Sequence, residues 1–226
     1  MINKNSFAET IDRVNEAIFF GKKLTQSEKK ESAKWIASRQ GLPGAYRGMF
    51  APTNADQTNG IRVFTGEWIT SNVAVRHILS EEASRVLLQL NVKDDAVTKA
   101  YELSKRSLLN SLLEGYPRGK EAGFYCCGKC SAALWRHFTA GGIGNADARL
   151  ANGLYYLKQM RTGDGKWRRF PFYYTILALS DITLPAALEE LRHCAPVMER
   201  SLRYLNRRDK YSERKKVLLE RVLEKV

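Results

Sequence analysis

Three of the four cysteines, Cys126, Cys127 and Cys130, fall within five positions, in a stretch that also carries His137, one of only three histidines. Thiols at that spacing can do two kinds of chemistry. Cys127-x-x-Cys130 is half of a common zinc ligand set, and the adjacent His193 and Cys194 are available as a second pair. Alternatively, a thiol beside Lys129 at the start of a predicted helix can be held as a thiolate and act as a nucleophile. His137 lies about 10 Å along a continuous helix from Cys130, so it serves neither as a shared ligand nor as the base. A base would come from elsewhere, with His77 the candidate, and Glu67 is a carboxylate at the head of another predicted helix. The third reading of the same residues is inert packing, since cysteine is among the most buried residue types. The residue types leave all three open: zinc is a candidate cofactor, and Cys127, Cys130, His77 and Glu67 are the candidates for catalysis.

A second constellation pairs cations with aromatic rings. Arg62 accompanies Phe64 and Trp68, Arg118 and Lys120 accompany Tyr116 and Phe124, and Lys166, Arg168 and Arg169 accompany Trp167 and Phe170. Each group precedes a predicted helix, and Tyr125, Tyr173 and Tyr174 stand at the heads of two of those helices. If the helices stack in parallel, these loops share one cationic, aromatic mouth suited to an anionic small molecule. The expected ligand-binding residues are therefore Arg62, Trp68, Tyr125, Trp167, Arg168, Arg169, Tyr173 and Tyr174. The competing reading is three unrelated solvated loops, with Trp167 a structural plug because its side chain buries so much area.

The elements that must position these groups read as helices almost throughout. Residues 6–21 and 25–40 form a predicted hairpin, the first helix capped by Ser6 with Glu9 and the second by Thr25 with Glu28. A Gly-, Pro-, Asn- and Thr-rich connection follows at 44–66, with a short strand expected at 61–64. From 67 to 206 one plan recurs three times: a glycine-aromatic-basic loop, a helix of small and apolar residues, then a longer charged helix. Helices are expected up to about 79, near 80–90 and 94–114, from the cysteines onward, near 146–162, over 173–181, and from Pro185 to about 206. Pro185 suits a first helical turn. Residues 207–226 read as a basic amphipathic helix with Leu218, Leu219, Val222, Leu223 and Val226 on one face. The expected class is all-α, with stacked α-hairpins forming a partial or open α/α toroid and a basic C-terminal helix.

The segment 154–179 resembles the repeat of the terpenoid cyclase and protein prenyltransferase superfamily. The likeness rests on Leu157, Gln159 and Met160 ending an outer helix, on Asp164, Gly165 and Trp167 in the turn, and on Tyr174, Thr175 and Leu179 opening an inner helix. It implies a toroid of inner and outer helices around a ligand cavity. The superfamily's catalytic motifs do not carry over. The Asp-rich initiating cluster is absent; of the prenyltransferase zinc ligands only the Cys has a counterpart, Cys130, while Tyr173 or Tyr174 occupies the His position.

Composition bounds the partners. The chain has 226 residues and a formal charge of +13, of which +6 lies in residues 200–226. Such an excess attracts anionic small molecules, nucleic acid or acidic proteins, and the latter two form the alternative reading of function. No membrane span and no export signal are recognised, and the cysteine spacing is a poor disulfide framework, so a cytoplasmic location is expected. Phosphate loops, nucleophile elbows, His-Glu-x-x-His helices and dinucleotide fingerprints do not occur.

Overall fold

Helix starts are fixed by side chains that accept orphan backbone N–H groups. In the computed structural model, which describes residues 1–114, 123–205 and 209–226, Ser6 caps α1 (Phe7–Phe19) by accepting from Glu9 N. Thr25 and Glu28 form a complete capping box at α2 (Gln26–Ala37). A third box was not foreseen: Thr53 and Asp56 start a short helix, α3 (Asn54–Asn59), inside the connection expected to be irregular. The buried Asp56 carboxylate also accepts from Ser6 Oγ at 2.7 Å and Phe7 N at 2.8 Å, so one side chain caps two helices.

Among the described residues the chain is all-α, with ten α-helices and a single two-stranded antiparallel ribbon, β1 (Ile61–Arg62) and β2 (Trp68–Ile69). The chain divides into two compact units. The first comprises 1–63, 68–120 and 140–144; the second comprises 64–67, 121–139 and 145–226.

In the first unit, α1 and α2 pack on α4 (Asn72–Leu90), and α5 (Asp95–Glu114) packs on α2 and α4. The expected break near residue 79 is absent, and α4 runs unbroken to a left-handed cap at Asn91. Its charged middle is buried and satisfied. Ser80 bonds to both the amide and the carbonyl of Phe50, Ser84 meets Ser104, and Asn15 bridges Glu82 and Arg85 at 3.0 and 2.8 Å.

In the second unit, α6 (Gly128–Thr139) pairs with α7 (Ala146–Gln159), and α8 (Phe172–Ser180) pairs with α9 (Pro185–Tyr204). The short apolar helices α6 and α8 pack on each other, as do the longer charged α7 and α9, so the two hairpins stack side by side. α10 (Lys210–Leu223) lies on α8 and α9, burying Leu218, Leu219 and Val222. Each such side chain contributes about 1.5–3 kcal/mol of burial. Arg214 is enclosed at 1% exposure, donating to the Phe64 carbonyl at 3.1 Å with its guanidinium 4.2 Å from the Phe64 ring. No helix among the described residues is long and apolar enough to cross a membrane.

Candidate functional site

The turn joining α7 to α8 builds one wall of a cleft. Thr162 N bonds to Lys166 O and Arg168 N to Met160 O, closing a tight reversal over Asp164 and Gly165. Gly165 takes φ +80°, and a Cβ there would stand 2.8 Å from the Val197 side chain, so both conformation and close approach require glycine. Trp167 is buried as a plug, its indole N–H donating to Glu190 Oε2 at 2.7 Å. Glu190, 1% exposed, also receives Arg161 at 2.8 Å. This buried carboxylate thus has its charge and its lone pairs matched.

Glu67 stands at the other end of that helix start. Its Oε1 accepts from Tyr174 N at 2.9 Å while Thr65 donates to its other oxygen. A carboxylate at the first turn of α8 satisfies an orphan donor and matches the helix dipole, which makes Glu67 a cap.

Between the first turn of α8 and the last turns of α9 lies a half-open cleft of about 460 Å³. Phe172 and Tyr173 come from α8, Val197, Arg200 and Tyr204 from α9, and Asp164 and Lys166 from the turn. Its size is that of a small-molecule site. Lys166 pairs with Asp164 at 3.6 Å, and Lys215 of α10 sits 4.6 Å over the Tyr173 ring. Arg200 has no carboxylate partner among the described residues and is exposed. Asp164 is held below the ordinary carboxylate range, chiefly by the Thr162 hydroxyl, and remains ionised. Two cations, Lys166 and Arg200, line the cleft against one carboxylate, Asp164, and that excess favours an anionic guest.

Of the residues expected to bind ligand, Tyr173 lines this cleft. Trp167 and Tyr174 are buried behind it, and Tyr125 is buried with its N–H bonded to Ser131. Arg168 and Arg169 are exposed and outside the lining, Arg169 in the left-handed region at φ +65°. Arg62 and Trp68 belong to the first unit, where they face each other across the ribbon. There the guanidinium stacks 4.6 Å over a ring that is 47% exposed. Tyr116, Arg118 and Lys120 lie outside the described residues. Arg200 and Tyr204 escaped sequence reasoning, although an exposed aromatic one turn beyond an arginine near a helix end was a usable signal.

The helix expected from the cysteines onward starts later than Cys126. α6 begins at Gly128, so Cys126 precedes it and Cys127 is its cap, with Cys127 O accepting from Ser131 N at 2.9 Å. All four cysteines are thiols. The ligand set Cys127, Cys130, His193 and Cys194 does not come together: Cys194 donates to Leu191 O within α9, and the His193 ring sits by Trp167 with Nε2 3.4 Å from Lys166 O. His77 is buried in the first unit with its ring against Tyr46.

No protein-family model, no curated protein and no solved structure matches this chain at a significant level.

Proposed function

We propose that the second unit binds a small anionic molecule with an aromatic or apolar body, held in the cleft between α8 and α9. The supporting observation is the juxtaposition of Lys166 and Arg200 with Phe172, Tyr173 and Tyr204 around one opening of ligand size. The rings would cover the body of the guest and the cations its charged group, a division of labour in which Arg200 supplies a planar fork for carboxylate, sulfonate or phosphate. The stacked hairpins α6–α7 and α8–α9 fit the two-layer plan of the α/α toroids, and kinship with that superfamily is part of this proposal.

Anilinonaphthalene sulfonate, a fluorescent aromatic anion, tests the reading. Arg200→Glu should weaken its binding at least about tenfold, the equivalent of one charge-assisted contact. Arg168→Ala with Arg169→Ala should leave binding within about twofold, because neither residue lines the cleft. Unchanged affinity in an Arg200→Glu, Lys166→Glu double variant would overturn the proposal. The alternative, binding of nucleic acid or acidic proteins by the basic C-terminal segment, draws on charge alone, since α8 and α9 cover the apolar face of α10. Random duplex DNA at low salt tests that alternative directly.

A further inference from the structure

The start of α6 gathers three sulfurs within one turn. Cys127 caps the helix, Cys130 is its third residue and is 1% exposed, and the Sγ atoms of Cys126 and Cys130 lie within 4.8 Å of each other. The turn is braced from both sides. Ser131 Oγ donates to Cys127 O and accepts from Tyr125 N, each at 2.9 Å, and Trp135 Nε1 donates to Gly123 O at 2.6 Å. Gly128 passes so close to the next loop that a Cβ would stand 2.4 Å from Arg169 O and 2.7 Å from the Phe170 ring. A backbone held this firmly keeps the sulfurs in a fixed relation, with Cys126 exposed, Cys127 half-buried and Cys130 buried.

We propose that Cys127-Gly128-Lys129-Cys130 is a dithiol/disulfide exchange site whose co-reactant is a small-molecule disulfide, with Cys127 the attacking sulfur and Cys130 the resolving one. The charged sulfur of Cys127 accepts hydrogen bonds from the Cys126 and Cys130 thiols and from the Lys129 and Cys130 amides, which lower its pKa. Hydrogen bonding with Cys126 and Cys127, then burial, pushes the Cys130 thiol well up. That asymmetry suits the reaction. Cys127 thiolate attacks one sulfur of R–S–S–R, that bond breaks, and RS⁻ leaves, giving a Cys127–S–S–R mixed disulfide. With the negative charge on Cys127 gone, one of the groups that hold the proton on Cys130, after Cys126, no longer does so. Cys130 gives that proton to the departed thiolate and attacks Cys127 Sγ, releasing the second RS⁻. One thiolate and one thiol of the protein become a disulfide, and R–S–S–R is reduced by two electrons to RSH and RS⁻.

Spacing favours Cys127–Cys130 over the adjacent pair. Side chains three apart on a helix have Cβ atoms about 5–6 Å apart, and a disulfide needs about 3.5–4.5 Å, so a small tightening of the first turn suffices. Cys126 and Cys127 are adjacent, with Cα atoms about 3.8 Å apart, short of the usual disulfide range. In this assignment Cys126 is a positioning residue whose thiol donates to the Cys127 sulfur, and a Cys126–Cys130 bridge, whose sulfurs lie within 4.8 Å, is the pairing that mapping must exclude.

Oxidised glutathione is the probe, with intact mass, peptide mapping and thiol release as readouts. The wild type should release two glutathione thiols, keep no adduct and map a Cys127–Cys130 disulfide. Cys130→Ala should trap one glutathione on Cys127. Its rate of adduct formation should stay nearly level between about pH 6 and 8, where an ordinary thiol gains about tenfold per unit. Cys127→Ala should slow thiol release at least about tenfold, and Cys126→Ala should slow it less while still yielding the Cys127–Cys130 disulfide as the mapped product. Circular dichroism verifies that each variant is folded. An adduct on Cys126 with Cys127 untouched, a Cys126–Cys130 bridge, or a wild type that keeps all four thiols would overturn the assignment.

Discussion

Trp167 and Glu190 offer the sharpest test of how the cleft wall is held. Replacing Trp167 by Phe removes one hydrogen bond of 2.7 Å to a carboxylate that is 1% exposed, while Arg161 still neutralises the charge. A hydrogen bond to a charged group contributes about 1.5–3 kcal/mol, and the missing fused ring leaves a void costing about 1 kcal/mol. The variant should therefore lose about 2.5–4 kcal/mol, a fall in midpoint of roughly 5–15 °C for a chain of this size. Helical circular dichroism during thermal and urea unfolding reads both quantities. A companion Glu190→Gln variant and the double variant complete a cycle, which should show coupling above about 0.5 kcal/mol because the two side chains touch. A loss below about 1 kcal/mol in Trp167→Phe, with additive effects in the cycle, would refute the claim that the indole N–H sustains Glu190.

Two further outcomes follow from the caps. Asp56→Ala strips the starts of both α1 and α3 and orphans buried donors, so it should cost about 2–4 kcal/mol in urea unfolding, and Asp56→Asn about half of that. Asp209 accepts from Ser212 N and Tyr211 N at the start of α10, which holds its carboxyl below the ordinary 3.8. Because the folded value is the lower one, its stabilisation of α10 is complete above about pH 4 and disappears as pH falls through the depressed value. A carboxyl titration by NMR should place the midpoint below 3.8, with amide exchange at Tyr211 and Ser212 accelerating over the same range.

Much of this arrangement is legible in the chain because local chemistry and tertiary structure agree. Ser6, Thr25 with Glu28, Pro185 and the Asp164-Gly165-x-Trp167 turn each act within a few residues of themselves, and each stands where its type suggests. What escaped depends on partners far along the chain. A helix boundary is expected at the polar run Ser80-Glu81-Glu82, but Phe50 and Asn15 supply partners that let Ser80 and Glu82 turn inward. The helix expected from the cysteines onward would already be under way at Cys126, whereas the chain approaches as a braced loop and turns helical only at Gly128. Glu67 looked like a carboxylate available for chemistry, and its actual role, capping a helix more than a hundred residues on, has no local signature.

The enclosure of Arg214 and the cap supplied by Glu67 have a bearing on modularity. Residues 64–67 interrupt the sequence of the first unit yet are built into the second. A fragment started at residue 123 would leave α8 without its carboxylate and Arg214 without the Phe64 carbonyl. Neither half can therefore be moved between genes as an uninterrupted cassette. Recombination that respects this architecture must carry a four-residue insert along with the C-terminal portion.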